Sequence, residues 1–290
     1  QLKERLFPDI RPLSAGTHHF QSPDDSPYRL HLRLEPDGSG LLIINASTIL
    51  HLNQTASEYA YHLVKQTPVD EVARTISRRY NVKIEQAEKD YSDLRERIET
   101  LITTPDLDPV TFLDFERTDV YTNLSAPLRL ICALTYRLED DPNAAPRDRV
   151  KRELLGSEWK TILAKAWEAG IPHAIFTGGE PTLRPDLVDL IACTQELGMV
   201  SGLLSNGLRL SEKPLLTEIL NAGLDHLMFL LEAGEDQSWE ALRDVLAADL
   251  FTTVHLTITK KNKGKVSSIL DKLAKMGVVS ISLSAEEEKL

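Results

Sequence analysis

"FTGGEPTLRPDL", residues 176–187, decides how this chain is read. The apolar run "HAIFT" leads into it, and a helical pattern follows it. Two glycines, an acid and a proline at that junction are what the C-terminal end of a strand carries when something is held there. The glycines permit tight backbone geometry. The question is what the loop holds.

Working outward, residues from 128 onward alternate between short apolar runs and helical patterns. The runs are "LRLICAL", "HAIFT", "VSGLLS", "HLMFLL", "TVHLTI" and "VVSISL". The first intervening helix places Trp159, Ile162, Leu163 and Ala166 on one face. Gly170, Gly198, Gly223 and Gly277 stand where four of the helices stop, and glycine there supplies the left-handed conformation of a C-terminal cap. Single helices between strands predict a parallel sheet with right-handed crossovers. Six units suit an open partial barrel or a doubly wound sheet. Both bind ligands at the C-terminal strand ends, where Gly178 to Pro181 fall.

The N-terminal half has a different rhythm. "YRLHLRLEP" alternates, "DGSG" (37–40) supplies a turn, and "LLIINASTILHL" continues as strand. Three helices follow. Thr55 and Glu58 match a capping box, Thr67 precedes Pro68 at a second helix start, and Ile84, Ala87, Tyr91, Leu94, Ile98 and Leu101 repeat along the third. The expected organisation is an N-terminal extension over 1–27, a small α+β domain over 28–103, a proline-bearing linker over 104–127 and the strand–helix domain over 128–290. Residues 1–27, with adjacent His18 and His19, are poorly patterned and read as solvent-exposed.

Composition limits the function. The chain has 290 residues, 42 % of them apolar, and a formal charge of −11. That acidity argues against nucleic acid or an anionic membrane as the main partner. No apolar run approaches the roughly 20 residues of a spanning helix, and the opening residues are too polar for a signal peptide. With Cys132 and Cys193 as the only cysteines, the reading is a cytoplasmic protein with free thiols.

Two resemblances follow from these motifs. "TGGEPTLRPDL" after the second strand resembles the GGEP motif of radical S-adenosylmethionine (SAM) enzymes. "LLSNG" (203–207) is similar to their ribose-contacting motif. "LNAGLDHLMFLLEAG" (220–234) and "TITKKN" (257–262) resemble their fourth and fifth strand units, with Leu231 standing in place of a serine. The resemblance implies an open partial (β/α)6 TIM-type barrel. It also implies that Gly178, Gly179, Glu180, Pro181, Ser205 and Asn206 face SAM. The alternative is that they persist as turns. "HLNQTASEYAYHL", "TPVDEVARTISRRYNV" and the long third helix resemble the PqqD-like peptide-recognition domain, a winged-helix-like unit. That resemblance implies peptide pairing with an exposed edge strand, Thr48, Ile49, Leu50, His51 and Leu52.

The family holds its iron–sulfur cluster with three cysteines after the first strand. Here "ALTYRLEDDPNAAPRD" puts Leu138, Pro142 and Ala145 at those positions, and thiolates are what hold such clusters. The acidic "LEDD" (138–141) reads as a surface loop rather than a cation site. The expectation is therefore a chain with no cofactor: no iron–sulfur cluster, and SAM at most a weak ligand. It would be a non-catalytic homologue that binds a peptide or partner enzyme in ribosomal peptide modification. The alternatives are an enzyme that keeps SAM or a nucleotide for non-radical chemistry, and a regulatory subunit of an active radical SAM enzyme.

Overall fold

The structure, a computed structural model, describes residues 10–23, 28–45, 48–104, 107, 109–113, 124–138, 152–248 and 250–286. The chain divides into two compact units, Gln1–Pro127 and Leu128–Leu290.

In the first unit, strands β1 (Gly16–Gln21), β2 (Arg29–Leu34), β3 (Gly40–Ile44) and β4 (Thr48–Leu52) form an antiparallel meander in sequence order. Its turn at residues 35–39 is closed by the Ser39 carbonyl accepting from Glu35 N–H at 2.8 Å. Helices α1 (Gln54–Val64), α2 (Val69–Tyr80), α3 (Ile84–Thr103) and the short α4 (Pro109–Leu113) follow. One sheet face, with Leu30, Leu32, Leu42 and Leu50, packs on Tyr59, Leu63, Val72, Ile76, Tyr91 and Ile98 from the helices. Burying each such aliphatic side chain contributes about 1.5–3 kcal/mol.

The structure corrects four local expectations. First, Gly16–Gln21, placed in a poorly patterned extension, pairs with β2 along its full length. "GTHHFQ" carries no β-branched apolar alternation, so its strand state comes from the partner rather than from propensity. Second, His18 is half-buried with its ring 4.9 Å from that of Tyr61. Third, α1 is capped not by a Thr55–Glu58 box but by Asn53, whose side chain accepts from Ala56 N–H at 2.9 Å. Glu58 is instead buried, paired with Arg79, and the Tyr80 hydroxyl donates to it at 2.9 Å. Fourth, the residue that caps α2 is Pro68, without a side-chain bond, rather than Thr67.

The polar members of the β2 alternation are also buried. Arg33 is closed off by Glu35 at 3.0 Å and donates to the Ala126 carbonyl at 2.9 Å. Part of the stretch expected to be a linker therefore packs within this unit, and Leu113 joins its core.

The second unit is a six-stranded parallel sheet in the order β10-β9-β8-β7-β6-β5. The strands are β5 (Leu130–Thr135), β6 (His173–Gly178), β7 (Val200–Ser205), β8 (His226–Leu230), β9 (Phe251–Ile258) and β10 (Ser280–Ala285). Between them lie α5 (Gly156–Glu168), α6 (Leu187–Leu197), α7 (Lys213–Asn221), α8 (Asp236–Leu246) and α9 (Val266–Lys275). Cys132, Phe176, Leu203 and Leu227 stand side by side in register and belong to one buried core with Leu163, Leu190, Leu242 and Leu273 of the helices. The four glycines expected to stop helices all have φ between 82° and 90°. The sequential strand order leaves β5 and β10 as the two edges, so the sheet is open.

On the other face, Gly202 makes room for His226: a Cβ there would lie 2.3 Å from its Nε2. The His173 and His226 rings meet edge-on at 5.0 Å. Burial holds the His226 pKa below its ordinary value near 6.5, with Asp225 opposing the shift. The unfolded chain therefore binds this proton at a pH where the folded chain does not, and stability falls as pH drops through about 6.5. The thermal midpoint is expected to decline from pH 7 to pH 5.5, and His226→Gln is expected to flatten that decline. An unchanged slope in the variant would remove His226 from the account.

Candidate functional site

The loop that begins at Gly178 sits at the C-terminal end of β6. Its two glycines answer a steric demand. The backbone after β5 runs against them, with Gly179 N–H donating to the Thr135 carbonyl at 2.7 Å and Glu180 N–H to the Arg137 carbonyl at 2.6 Å. A Cβ on Gly178 (φ 135°) would lie 2.2 Å from the Thr135 oxygen, and one on Gly179 would lie 1.9 Å from the Arg137 oxygen. No side chain fits either place.

Glu180 lies at the centre, 4 % exposed. Its Oε1 accepts from Thr182 N–H at 2.9 Å, from the Thr182 hydroxyl at 2.6 Å and from the Ser205 hydroxyl at 2.8 Å. Its Oε2 accepts from Asn206 N–H at 2.9 Å. The carboxylate thus joins the ends of β6 and β7. Ser205 Oγ in turn accepts from Gly207 N–H at 2.9 Å, and Asn206 Oδ1 accepts from Leu208 N–H at 3.1 Å. Gly207 (φ 73°) lies where a Cβ would fall 2.0 Å from the Phe229 ring. Pro181 opens a 3₁₀ turn over Pro181–Leu183, and Arg209 donates to the Thr182 carbonyl at 2.9 Å. All six residues expected to face SAM are brought to adjacent strand ends, where Glu180 is already bonded to Ser205 and Asn206.

Sequence reading missed the supports of this site. Arg184 pairs with Asp186 through two bonds of 2.8 and 2.7 Å and donates to the carbonyls of Leu134 and Leu154. Glu153 accepts from the Thr135 hydroxyl at 2.7 Å and from Tyr136 N–H at 2.9 Å. "LRPD" does place Arg184 only two residues before Asp186. Glu153 had no sequence signal. Leu231, where the family pattern has a serine, is buried, and its N–H donates to the His255 carbonyl at 2.9 Å. Asn262 spends its side chain on its own loop, accepting from Thr259 N–H and donating to the Thr257 carbonyl.

Both cysteines of the chain lie within secondary structure. Cys132 is fully buried within β5, and burial pushes its thiol up to about 12. Cys193 lies on α6, and burial raises its thiol as well. Leu138 is exposed and has no ligating atom; Pro142, Ala145 and most of "LEDD" lie outside the described residues.

Removing the Glu180 carboxylate should leave several buried donors unpaired, each costing about 1–3 kcal/mol. Glu180→Ala is expected to lower unfolding stability by about 3 kcal/mol or more, and Gly179→Ala to be at least as damaging. Denaturant unfolding measures both; a Glu180→Ala protein as stable as the parent would show that the network carries little.

The sequence model of the radical SAM superfamily matches residues 132–278. The chain is 27 % identical over 178 residues to a PqqA peptide cyclase of Gluconobacter oxydans, covering 55 % of this chain and 49 % of that protein. It is 28 % identical to the PqqA peptide cyclase of Streptomyces rochei, covering 56 % and 49 %. The chain spans about half the length of these curated relatives. Among solved structures, Streptococcus suis SuiB bound to SAM aligns with a TM-score of 0.58 at 16 % identity, covering 93 % of this chain and 64 % of SuiB. SuiB bound to its precursor peptide SuiA aligns at 0.53, with 14 % identity and coverage of 93 % and 64 %. At such identity the likeness shows the fold, a parallel six-stranded α/β sheet of the radical SAM type. These matches overturn the expectation of a chain with no cofactor: SAM gives the matched superfamily its name, and the SuiB structure is described as holding it. By the extent of the sequence match, the chain belongs to the radical SAM superfamily.

Proposed function

We propose that this chain is a non-catalytic radical SAM homologue that binds a peptide, or a partner enzyme, through a PqqD-like domain in the modification of ribosomally made peptides. The observation that carries the peptide reading is strand β4. It is an edge of the first unit's sheet, with Leu50 and Leu52 buried and His51 exposed. An edge strand presents unpaired N–H and C=O groups to which an extended peptide can add. The order of three strands, β2 to β4, followed by α1, α2 and a long α3 supports a winged-helix-like recognition domain over 28–103, with β1 added on the far edge. The similarity to PqqA peptide cyclases, and the SuiB structure with a precursor peptide, support a peptide as the partner.

The non-catalytic part of the reading rests on the cysteines: neither stands where the family places its cluster ligands. SAM remains the ligand assigned to Gly178–Pro181, Ser205 and Asn206. Among the described residues Oε2 of Glu180 accepts one hydrogen bond, which leaves an acceptor position for an amino group. The loop and β7 would then orient a ligand without supplying a reacting group.

Peptide binding is tested with the full chain and a displayed library of random peptides. Bound peptides are expected to protect residues 48–52 from hydrogen exchange. Ile49→Asp together with His51→Asp, both away from the inward leucines, is expected to weaken binding by about tenfold or more, the equivalent of 1.4 kcal/mol. Protection confined to the second unit, or binding indifferent to the double variant, would defeat the edge-strand reading.

A further inference from the structure

We propose that Arg184, acting with Glu153, is a positioning residue for the Gly178–Pro181 loop and sets how tightly that loop holds SAM. The inference rests on the assignment of SAM to the loop. Neither residue is among the six expected to face the ligand. Both act through the backbone at the end of β5.

The demand arises at that strand end. The register with β6 shifts between Ala133 and Thr135, and Leu134 is skipped in the pairing. Such a shift disrupts the ladder and turns the strand end. The Leu134 carbonyl is met instead by Arg184 Nη1 at 2.9 Å, and the same nitrogen donates to the Leu154 carbonyl at 3.1 Å. The next residue carries the contact to the loop, since the Thr135 carbonyl accepts from Gly179 N–H at 2.7 Å. The Thr135 hydroxyl donates to Glu153 Oε1 at 2.7 Å, and Tyr136 N–H donates to the same oxygen at 2.9 Å. The Arg137 carbonyl then accepts from Glu180 N–H at 2.6 Å. Residues 134–137 are therefore gripped in succession, by Arg184 and Glu153 on one side and by the loop on the other. The backbone that the two loop glycines lie against is set by residues outside the loop.

Arg184 is built to hold rather than to bind a ligand. Its side chain is 11 % exposed. Nε and Nη2 donate to the Asp186 carboxylate at 2.8 and 2.7 Å, so with the two carbonyls four bonds of the guanidinium are spent inside the protein. Two-bonded pairing of this kind fixes the plane of the fork. Asp186 is seated in turn. Gly156, at the start of α5, leaves it room, because a Cβ there would lie 2.5 Å from Oδ2. The bonds from Arg184 hold the Asp186 carboxyl below its ordinary pKa against the opposing effect of burial. Glu153 Oε2 lies 3.9 Å from Arg184 Nη1, so the two grips on the strand end form one unit. A lysine at 184 would bring the charge without the planar fork that reaches a carboxylate and two carbonyls together.

The experiment is calorimetric titration of the full chain with SAM, together with hydrogen exchange over residues 176–183. Arg184→Gln and Glu153→Ala are each expected to weaken SAM binding by about tenfold or more and to speed exchange at Gly179 and Glu180. Glu153→Gln keeps an accepting oxygen and is expected to restore the parental affinity, which a role through charge alone would not allow. Glu153 is partly exposed, so its variants carry the test should Arg184→Gln fail to fold. Leu224→Ala truncates the core just ahead of β8, at the opposite end of the sheet. It is expected to lower the thermal midpoint without moving the affinity. Parental affinity in both Arg184→Gln and Glu153→Ala overturns the proposal while leaving the SAM assignment standing. So does a loss of affinity in Leu224→Ala as large as theirs. A parent with no saturable SAM binding up to about 1 mM overturns the SAM assignment and the proposal with it.

Discussion

The buried carboxylate of Glu180 is the interaction on which the candidate site depends. A carboxylate taken out of water is costly unless its oxygens are bonded. Here four donors meet it, from the 3₁₀ turn after β6 and from the end of β7. The need to satisfy that charge draws two strand ends together and sets the position of Ser205 and Asn206. The glycines before it let the backbone after β5 come close enough to bond with the loop. Three adjacent strand ends are thus fixed by one acid and two absent side chains.

This arrangement separates what the motif does for the fold from what it offers a ligand. Three of the four bonds go to Oε1, and all of them are internal. The capacity that remains is at Oε2 and in the surrounding backbone. The two cysteines lie apart from this junction, in β5 and α6.

The first unit follows a different logic. Its two central strands, β2 and β3, are buried along their length, and the charge of Arg33 on β2 is met inside the unit by Glu35 and by the Ala126 carbonyl. Glu58, which by sequence suits a helix cap, instead sits between Arg79 and Tyr80 and joins α1 to α2. In both units an acid placed between elements supplies specificity that apolar packing alone does not.

The sequence by itself determined the elements and their order. Short apolar runs between helical patterns named all six strands of the second unit, and terminal glycines marked four of the helix stops, because these signals are local and each residue's conformational preference acts within a few positions. It also located Gly178–Pro181, Ser205 and Asn206 at strand ends. Only the tertiary structure decided what those residues bond to. Glu153 and Arg184 reach their partners across long stretches of chain, and nothing in their immediate neighbours announces it. Strand β1 was invisible for the same reason: its conformation is imposed by β2. Distances in space between residues distant in sequence are set by packing, and a linear pattern does not carry them.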